Sequence, residues 1–206
     1  MVYTLGSDRA GTGGARIPAA ELKIVVAGGF GVGKTTLVGT LSEISPLTTE
    51  EVITVASTGI DDLHGIKDKT TTTVAMDFGR ITFPEPPRPM ILFLFGTPGQ
   101  ERFWFAWNDL SYGAVGAVVL ADTRRLHESF AAVSYFEQLK TPFLVAVNQF
   151  DGAYHYPPDE IRQALELDPS VPVMTCDVRQ HASAMAVLIK LVEHSLERHR
   201  PLTPGV

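Results

Sequence analysis

The chain has 206 residues, a net charge of -6 at neutral pH and one cysteine, Cys176. This length predicts one domain, and the acidic balance argues against nucleic acid as a partner and against binding to an anionic membrane through bulk charge. One cysteine excludes an internal disulfide and a multi-cysteine metal site, which is typical of a reducing compartment, so we expect a cytoplasmic protein.

The two ends of the chain give no signal for membrane attachment. The first residues lack the apolar run of a signal peptide, and the longest apolar run, YGAVGAVVLA, is much shorter than a membrane span. Position 2 is Val and the final HRPLTPGV contains no cysteine, so neither myristoylation nor prenylation is indicated. We therefore expect no direct membrane anchor, and any peripheral association with a membrane would depend on a partner protein.

From Leu22 onward the sequence alternates between predicted strands and helices. Residues 1–20 are rich in Gly and Ala and favour a flexible N-terminal tail, 21–199 form the predicted domain, and 200–206 form a C-terminal tail. Five apolar runs have the length of strands: LKIVVAG, MILFLFG, AVGAVVLA, PFLVAV and VPVMTC. Stretches with helical spacing separate them, which is typical of an α/β fold with a mostly parallel sheet covered by helices on both faces.

Two segments depart from this alternation. TTTVAMDFGRITF, the turn PEPPRP and MILFLFG together predict an antiparallel hairpin at the edge of the sheet. Between the helix expected to end near Leu41 and the strand expected near Val74 lie about 30 residues, and a loop of that length usually has a function or minor structure of its own. Within it, EVITVAS shows partial alternation and indicates a short additional strand.

The segment GGFGVGKT matches the phosphate-binding pattern G-x-x-x-x-G-K-[ST], directly after a predicted strand and before a predicted helix. Its glycines let the backbone wrap around phosphate, and the helix N-terminus favours anions. Lys34 would reach the β- and γ-phosphates, and the Thr35 hydroxyl would ligate Mg²⁺. The residues assigned to this site are Gly28, Phe30, Gly31, Val32, Gly33, Lys34, Thr35 and Thr36.

A second motif, NQFD, follows the apolar strand PFLVAV and predicts the base. The carboxylate of Asp151 can accept hydrogen bonds from guanine N1–H and from its exocyclic amino group. Adenine does not present this pair of donors and would leave the carboxylate unpaired. The motif therefore indicates a guanine nucleotide.

Together these motifs resemble those of the Ras-like small GTPases, in particular their bacterial branch. The nearest resemblance is to the conservon GTPases of actinobacteria, which are related to the gliding-motility GTPase of myxobacteria. It covers about residues 20–198 and rests on GGFGVGKTT, TTTVAMDFG, FGTPGQERF, VNQFD and TCD, in that order. The resemblance implies a single P-loop NTPase, or Ras-like G domain, with a six-stranded mostly parallel sheet, one antiparallel edge strand and helices on both faces.

The resemblance also implies roles by position. Thr73 would give a hydroxyl to Mg²⁺ and a backbone N–H to the γ-phosphate, with Thr72 as the alternative. Gly99 would sense the γ-phosphate and Gln100 would orient the attacking water, so Gln100, Lys34 and Thr73 are the implied catalytic residues. The implied ligands are GTP or GDP with Mg²⁺ on Thr35 and Thr73. The implied contacts to the base fall on Asn148, Gln149, Asp151, Cys176, Asp177 and Val178.

Three residues depart from the pattern of that family. Gly96 replaces an aspartate that holds Mg²⁺ through water, which predicts weaker Mg²⁺ dependence and a Gly96→Asp variant that regains part of it. Gln149 replaces a lysine that covers the base, which predicts faster nucleotide exchange. Phe30 would crowd the approach of a partner's arginine, and no arginine lies between Lys34 and Thr73.

The predicted function is a GTP/GDP molecular switch with slow intrinsic hydrolysis, regulated by and signalling to partner proteins. The resemblance implies a roadblock-type regulator, and the effector stays unidentified. A non-hydrolysing guanine-nucleotide-binding adaptor is the alternative. After Gln100 come Phe103, Trp104, Phe105 and Trp107. We expect two of these rings in the core and the others, with Trp104 and Trp107 as candidates, on a partner surface.

Overall fold

The structure is a computed structural model that describes residues 19–54, 71–84, 88–99 and 105–199, with only the backbone described for 48–54, 71–75, 105 and 199. Its strands are β1 (Ala20–Ala27), β2 (Leu47–Thr54), β3 (Thr71–Phe83), β4 (Met90–Gly96), β5 (Gly116–Ala121), β6 (Phe143–Asn148) and β7 (Val173–Cys176). Its helices are α1 (Lys34–Leu41), α2 (Phe105–Ser111), α3 (Phe130–Leu139), α4 (Pro158–Ala164) and α5 (His181–His199), with a 3-10 helix (Thr123–Ser129) before α3. Most of the two predicted tails lies outside the described residues.

These strands form one sheet in the order β2-β3-β4-β1-β5-β6-β7. The pairs from β4 through β1, β5 and β6 to β7 are parallel, and the β2–β3 and β3–β4 pairs are antiparallel. The predicted α/β fold with a mostly parallel sheet and an antiparallel β3–β4 hairpin is confirmed. The sheet has seven strands where the resemblance implied six, and the additional strand, β2, contains EVIT from the segment EVITVAS.

The central strands are buried on both faces. Every residue of β5 and β6 is buried, and the last four residues of β1 are buried as well. Helices cover the two faces of a parallel sheet, so such strands consist of continuous apolar residues rather than alternating ones. This is why the apolar runs predicted these strands well.

Two hydrophobic clusters flank the sheet. One joins α1 and α5, with Leu37 and Leu191 fully buried, and the other joins α2, α3 and α4 around Phe136. Burying one such side chain contributes roughly 1.5–3 kcal/mol. Among the described helices, none is long and apolar enough to cross a membrane.

Trp107 belongs to the second cluster. It is 2 % exposed, its ring lies edge-on to Tyr135 with the centroids 5.2 Å apart, and its Nε1 donates to the Pro98 carbonyl at 3.2 Å. The hypothesis that Trp107 forms a partner surface is therefore wrong, because its ring has no free face. Residues 103 and 104 lie outside the described residues, and only the backbone of residue 105 is described.

The antiparallel part of the sheet contains a junction. Strand β2 pairs with residues 71–78 of β3, whereas β4 pairs with residues 77–83. Within the described part of the sheet, residues 71–76 therefore form a two-stranded arm with β2. Asp77 lies at the base of this arm, opposite Thr48 on one side and Gly96 on the other.

Candidate functional site

The candidate site lies at the carboxyl edge of the parallel strands, where ligands bind in open α/β sheets. The loop after β1 turns sharply into α1, with Gly31 at φ 70° and Gly33 at φ 108°. A residue with a Cβ adopts these values only with strain, so the turn depends on glycine. The loop, the first turn of α1, Asp77 and residues 97–99 enclose a cavity of about 330 Å³. The predicted phosphate-site residues that line it are Phe30, Gly31, Gly33, Lys34, Thr35, Thr36 and Gly99.

Lys34 is the cation of this cavity. It is buried, and its Nζ donates to the carbonyls of Gly28 at 2.9 Å and Gly29 at 2.7 Å. Desolvation lowers the pKa of Lys34 to about 8, although the charges of Asp77 and Glu128 act in the opposite direction. The ammonium group is thus held by neutral carbonyls at a buried position, where an anionic phosphate would stabilise its charge.

Asp77 on β3 places a carboxylate beside Gly96, the position where the sequence lacks the expected aspartate. Asp77 is 7 % exposed, and its Oδ2 accepts a hydrogen bond from the Thr35 hydroxyl at 2.7 Å. Gly96 lies directly opposite on β4, and a Cβ added there would be 3.0 Å from both Cβ and Oδ2 of Asp77. The side chain of Asp77 therefore fills the space that an aspartate at position 96 would need.

The cavity also contains a polar atom without a partner. Thr97 lines the cavity, is 2 % exposed, and its Oγ1 has no hydrogen-bond partner in the described part of the chain. Buried hydroxyls are normally hydrogen-bonded, so the Thr97 hydroxyl has the capacity to bind a group that enters the cavity. Mg²⁺ prefers oxygen ligands and binds through one or two carboxylates together with water and substrate phosphates. Asp77, Thr35 and Thr97 fit that requirement.

Asn148 connects the phosphate loop to the loop after β7. Its Nδ2 donates to the Val32 carbonyl at 3.0 Å, and its Oδ1 accepts from the Val178 backbone N–H at 3.2 Å. A Cβ on Gly33 would lie 2.7 Å from Asn148 Nδ2, so the contact also needs glycine at that position. Because Asn148 is 5 % exposed, these hydrogen bonds fix the end of β6 against the phosphate loop.

Beside Asn148 lies an open acidic group. The side chain of Asp151 is 90 % exposed, and its two oxygens lie 3.4 Å from the Arg179 guanidinium. Hydrogen bonds from Arg179 lower the pKa of Asp177, so that neighbouring carboxylate is ionised near neutral pH. The geometry leaves Asp151 available to a ligand that replaces or joins Arg179.

The two remaining predicted base residues act here mainly through the backbone. The Gln149 N–H donates to the Cys176 carbonyl at 2.7 Å and connects the ends of β6 and β7. Burial raises the pKa of the Cys176 thiol to about 12, so this sulfur is neither a nucleophile nor a metal ligand at neutral pH.

The remaining predicted site residues are Thr73, its alternative Thr72, and Gln100. Thr73 lies in the two-stranded arm opposite Val52, and Thr72 lies opposite Ile53. Gln100 lies outside the described residues, so its catalytic role stays a prediction. Sequence reasoning missed the roles of Asp77, Thr97 and Arg179. For Asp77 a signal existed, because TTTVAMDFG supplies a carboxylate near the predicted Mg²⁺ site, where position 96 has none.

Comparisons with known proteins identify relatives of the chain. A family described as conserved hypothetical ATP binding protein matches residues 26–198. The uncharacterized protein MJ1339 of Methanocaldococcus jannaschii is 30 % identical over 133 residues, which covers 64 % of this chain and 71 % of the relative. The assignment to Ras-like small GTPases near the conservon branch is therefore wrong, because the family that matches across the fold is a different one.

Proposed function

The chain belongs to the family of conserved hypothetical ATP-binding proteins, and we propose that this member binds GTP and GDP, hydrolyses GTP slowly and acts as a molecular switch. Nucleotide binding itself follows from the family and the phosphate loop. The choice of guanine, the hydrolysis and the switch are the proposal. A non-hydrolysing guanine-nucleotide adaptor is the second candidate, since the described residues that line the cavity include no arginine to stabilise a transition state.

The position of Asp151 carries the proposal for guanine. Asn148 holds the end of β6 against the phosphate loop, and Asp151 follows three residues later with an exposed carboxylate. A base attached to phosphates in the cavity would extend toward that carboxylate. Guanine presents two donors to it, whereas adenine would leave it without these bonds.

The cavity supports magnesium-dependent binding of the phosphates. Lys34 and the inward N–H groups of the loop would hold the phosphate oxygens, while Thr35, Asp77 and Thr97 would hold Mg²⁺ directly or through water. A bound Mg²⁺ would neutralise part of the phosphate charge. Arginine does not occur among the described residues that line the cavity, which supports slow hydrolysis.

The contact between Gly99 and the phosphate loop supports the switch. A Cβ on Gly99 would lie 2.8 Å from Lys34 Nζ and 2.9 Å from Phe30 Cα, so the segment after β4 is packed against the lysine that receives phosphate. The γ-phosphate of a nucleotide bound beside Lys34 would therefore contact or displace this segment. We expect such a change to alter a surface that partner proteins read.

Asp151→Asn tests the choice of base. The variant should lose GDP affinity by about 100-fold and gain affinity for xanthosine diphosphate, because the amide presents a donor where the carboxylate accepted. Calorimetry with GDP, ADP and xanthosine diphosphate measures the change. Asp159→Asn is the matched control, since Asp159 has a side chain that is 95 % exposed and faces an arginine on α4.

Two further results bear on the proposal. Tighter binding of ADP than of GDP by the wild-type protein would contradict the guanine assignment and favour the nucleotide in the family's description. Single-turnover phosphate release from GTP separates a slow GTPase from the adaptor, which would release none.

The pKa of Lys34 predicts proton uptake on nucleotide binding. In the nucleotide-free protein this pKa is about 8, below its ordinary value of 10.5, so folding stability should rise as the pH increases from about 8 to 10.5. Bound phosphate raises the pKa again, and binding at pH 8.5 should take up about three quarters of a proton, against about a tenth at pH 7. Calorimetry in buffers of different ionisation enthalpy measures this uptake, and equal values at both pH values would contradict it.

A further inference from the structure

We propose that Arg125 is a positioning residue for the phosphate loop, which fixes the Phe30–Gly31 peptide so that the Gly31 N–H faces the nucleotide phosphates. The inference rests on the proposed nucleotide-binding function. It assigns a task to a residue 95 positions away from Phe30 in the sequence.

The contact that carries the inference is a single charge-assisted hydrogen bond. Arg125 Nη2 donates to the Phe30 carbonyl at 2.9 Å. In a planar trans peptide the C=O and the following N–H point in opposite directions. A carbonyl bound to Arg125 on one side of the loop therefore directs the Gly31 N–H to the other side.

The two sides of the loop differ. Phe30 and Gly31 line the cavity, whereas Arg125 is not among the residues that line it. The guanidinium therefore lies on the outer side of the loop and the Gly31 N–H faces inward. Gly31 has φ 70°, and glycine has more backbone freedom than any other residue. An external hydrogen bond that holds this peptide would therefore reduce the conformational entropy lost when the loop binds phosphate.

Neighbouring residues hold the Arg125 side chain toward the phosphate loop. Its backbone interrupts the 3-10 helix with non-helical angles, φ -144° and ψ 46°. Its Nη1 lies 3.1 Å from Glu128 Oε1, and its Nη2 lies 3.7 Å from the buried carboxylate of Asp122. A Cβ on Gly29 would overlap Glu128 Oε2, so the Arg125–Glu128 pair lies against the loop at two successive residues.

The ion pair between Arg125 and Glu128 does not explain this arrangement through fold stability. The side chains of Arg125 and Glu128 are 38 % and 32 % exposed, and ion pairs at that exposure contribute little to stability. A hydrogen bond from a cation to a carbonyl also polarises the peptide and makes its N–H a better donor. The hydrogen bond from Arg125 would therefore increase the affinity of the loop for phosphate.

The test compares Arg125→Met and Arg125→Lys with the matched control Arg80→Met, which removes an exposed arginine paired with Glu43. Three quantities are measured: calorimetric affinity for Mg²⁺–GDP, the melting temperature, and the amide resonance of Gly31 with saturating GDP. We expect Arg125→Met to lose about 10-fold in affinity, with Arg125→Lys between it and the wild type. The Gly31 amide should move downfield on GDP binding in the wild type and the control, and less in Arg125→Met.

The amide resonance separates positioning from a structural role. A variant that is merely less stable would still show the full downfield change once saturated with GDP. Unchanged affinity and an unchanged Gly31 shift in Arg125→Met would overturn the inference alone. Failure of the wild-type protein to bind any nucleotide would overturn the proposed function together with it. If Arg125→Met does not fold, Arg125→Lys and Arg125→Gln provide the same comparison.

Discussion

Asp77→Asn should raise the Mg²⁺ concentration needed for tight nucleotide binding by about 10- to 100-fold, the range measured for partners that orient metal ligands. The amide oxygen can still accept the hydrogen bond that Asp77 receives from Thr35 at 2.7 Å, so the fold should persist while the charge is lost. GDP affinity measured across a Mg²⁺ titration checks the prediction. In excess chelator the variant and the wild type should bind GDP alike.

Asp168→Asn is the matched control for this measurement. Asp168 accepts a hydroxyl hydrogen bond from Ser170 at 2.6 Å, much as Asp77 accepts one from Thr35, and it is exposed. The control should respond to Mg²⁺ as the wild type does. An Asp77→Asn variant with the same Mg²⁺ response would exclude Asp77 from the metal site.

Gly96→Asp should destabilise the protein by about 2–4 kcal/mol and weaken nucleotide binding, because it overpacks a buried position and opposes two carboxylates. This reverses the expectation from sequence that the variant regains Mg²⁺ coupling. The reason is the 3.0 Å separation between a Cβ at position 96 and Asp77 Oδ2. Thermal unfolding with and without Mg²⁺–GDP measures both effects.

The double variant Asp77→Gly with Gly96→Asp tests the packing argument more directly than either single variant. The two positions are directly opposite on neighbouring antiparallel strands, so the exchange moves one carboxylate across the pair and removes the clash. We expect it to recover part of the stability and Mg²⁺ response that Asp77→Gly alone loses. Full stability of the single Gly96→Asp variant would contradict the packing argument.

The pattern of residues predicts the chain's local structure well. Buried strands such as β5 and β6 consist of continuous apolar residues, and the phosphate loop requires glycines at fixed spacing, so both can be recognised without coordinates. The carboxyl ends of parallel strands share an edge of the sheet, and Asn148 at the end of β6 accordingly lies beside the phosphate loop and donates to the Val32 carbonyl.

Contacts that depend on strand register or on distant loops could not be predicted in this way. Asp77 fills the space beside Gly96 only because the β3–β4 register sets them opposite, and a shift of one residue would turn Asp77 to the other face. Arg125 reaches Phe30 across 95 residues through an irregular helix. The family assignment failed for a related reason, since short phosphate and base motifs identify a ligand chemistry more reliably than a lineage.

The two-stranded arm has a consequence for the way the protein opens. Among the described strands, residues 71–76 pair only with β2, and an isolated pair of strands is marginally stable in water. We therefore expect the arm to open as a cooperative unit, with a smaller opening free energy than the parallel sheet. Asp77 lies at the base of the arm, where the opening would stop. A cation bound to Asp77 would hold the base closed, and release of that cation would let the separation of the strands extend to the phosphate cavity.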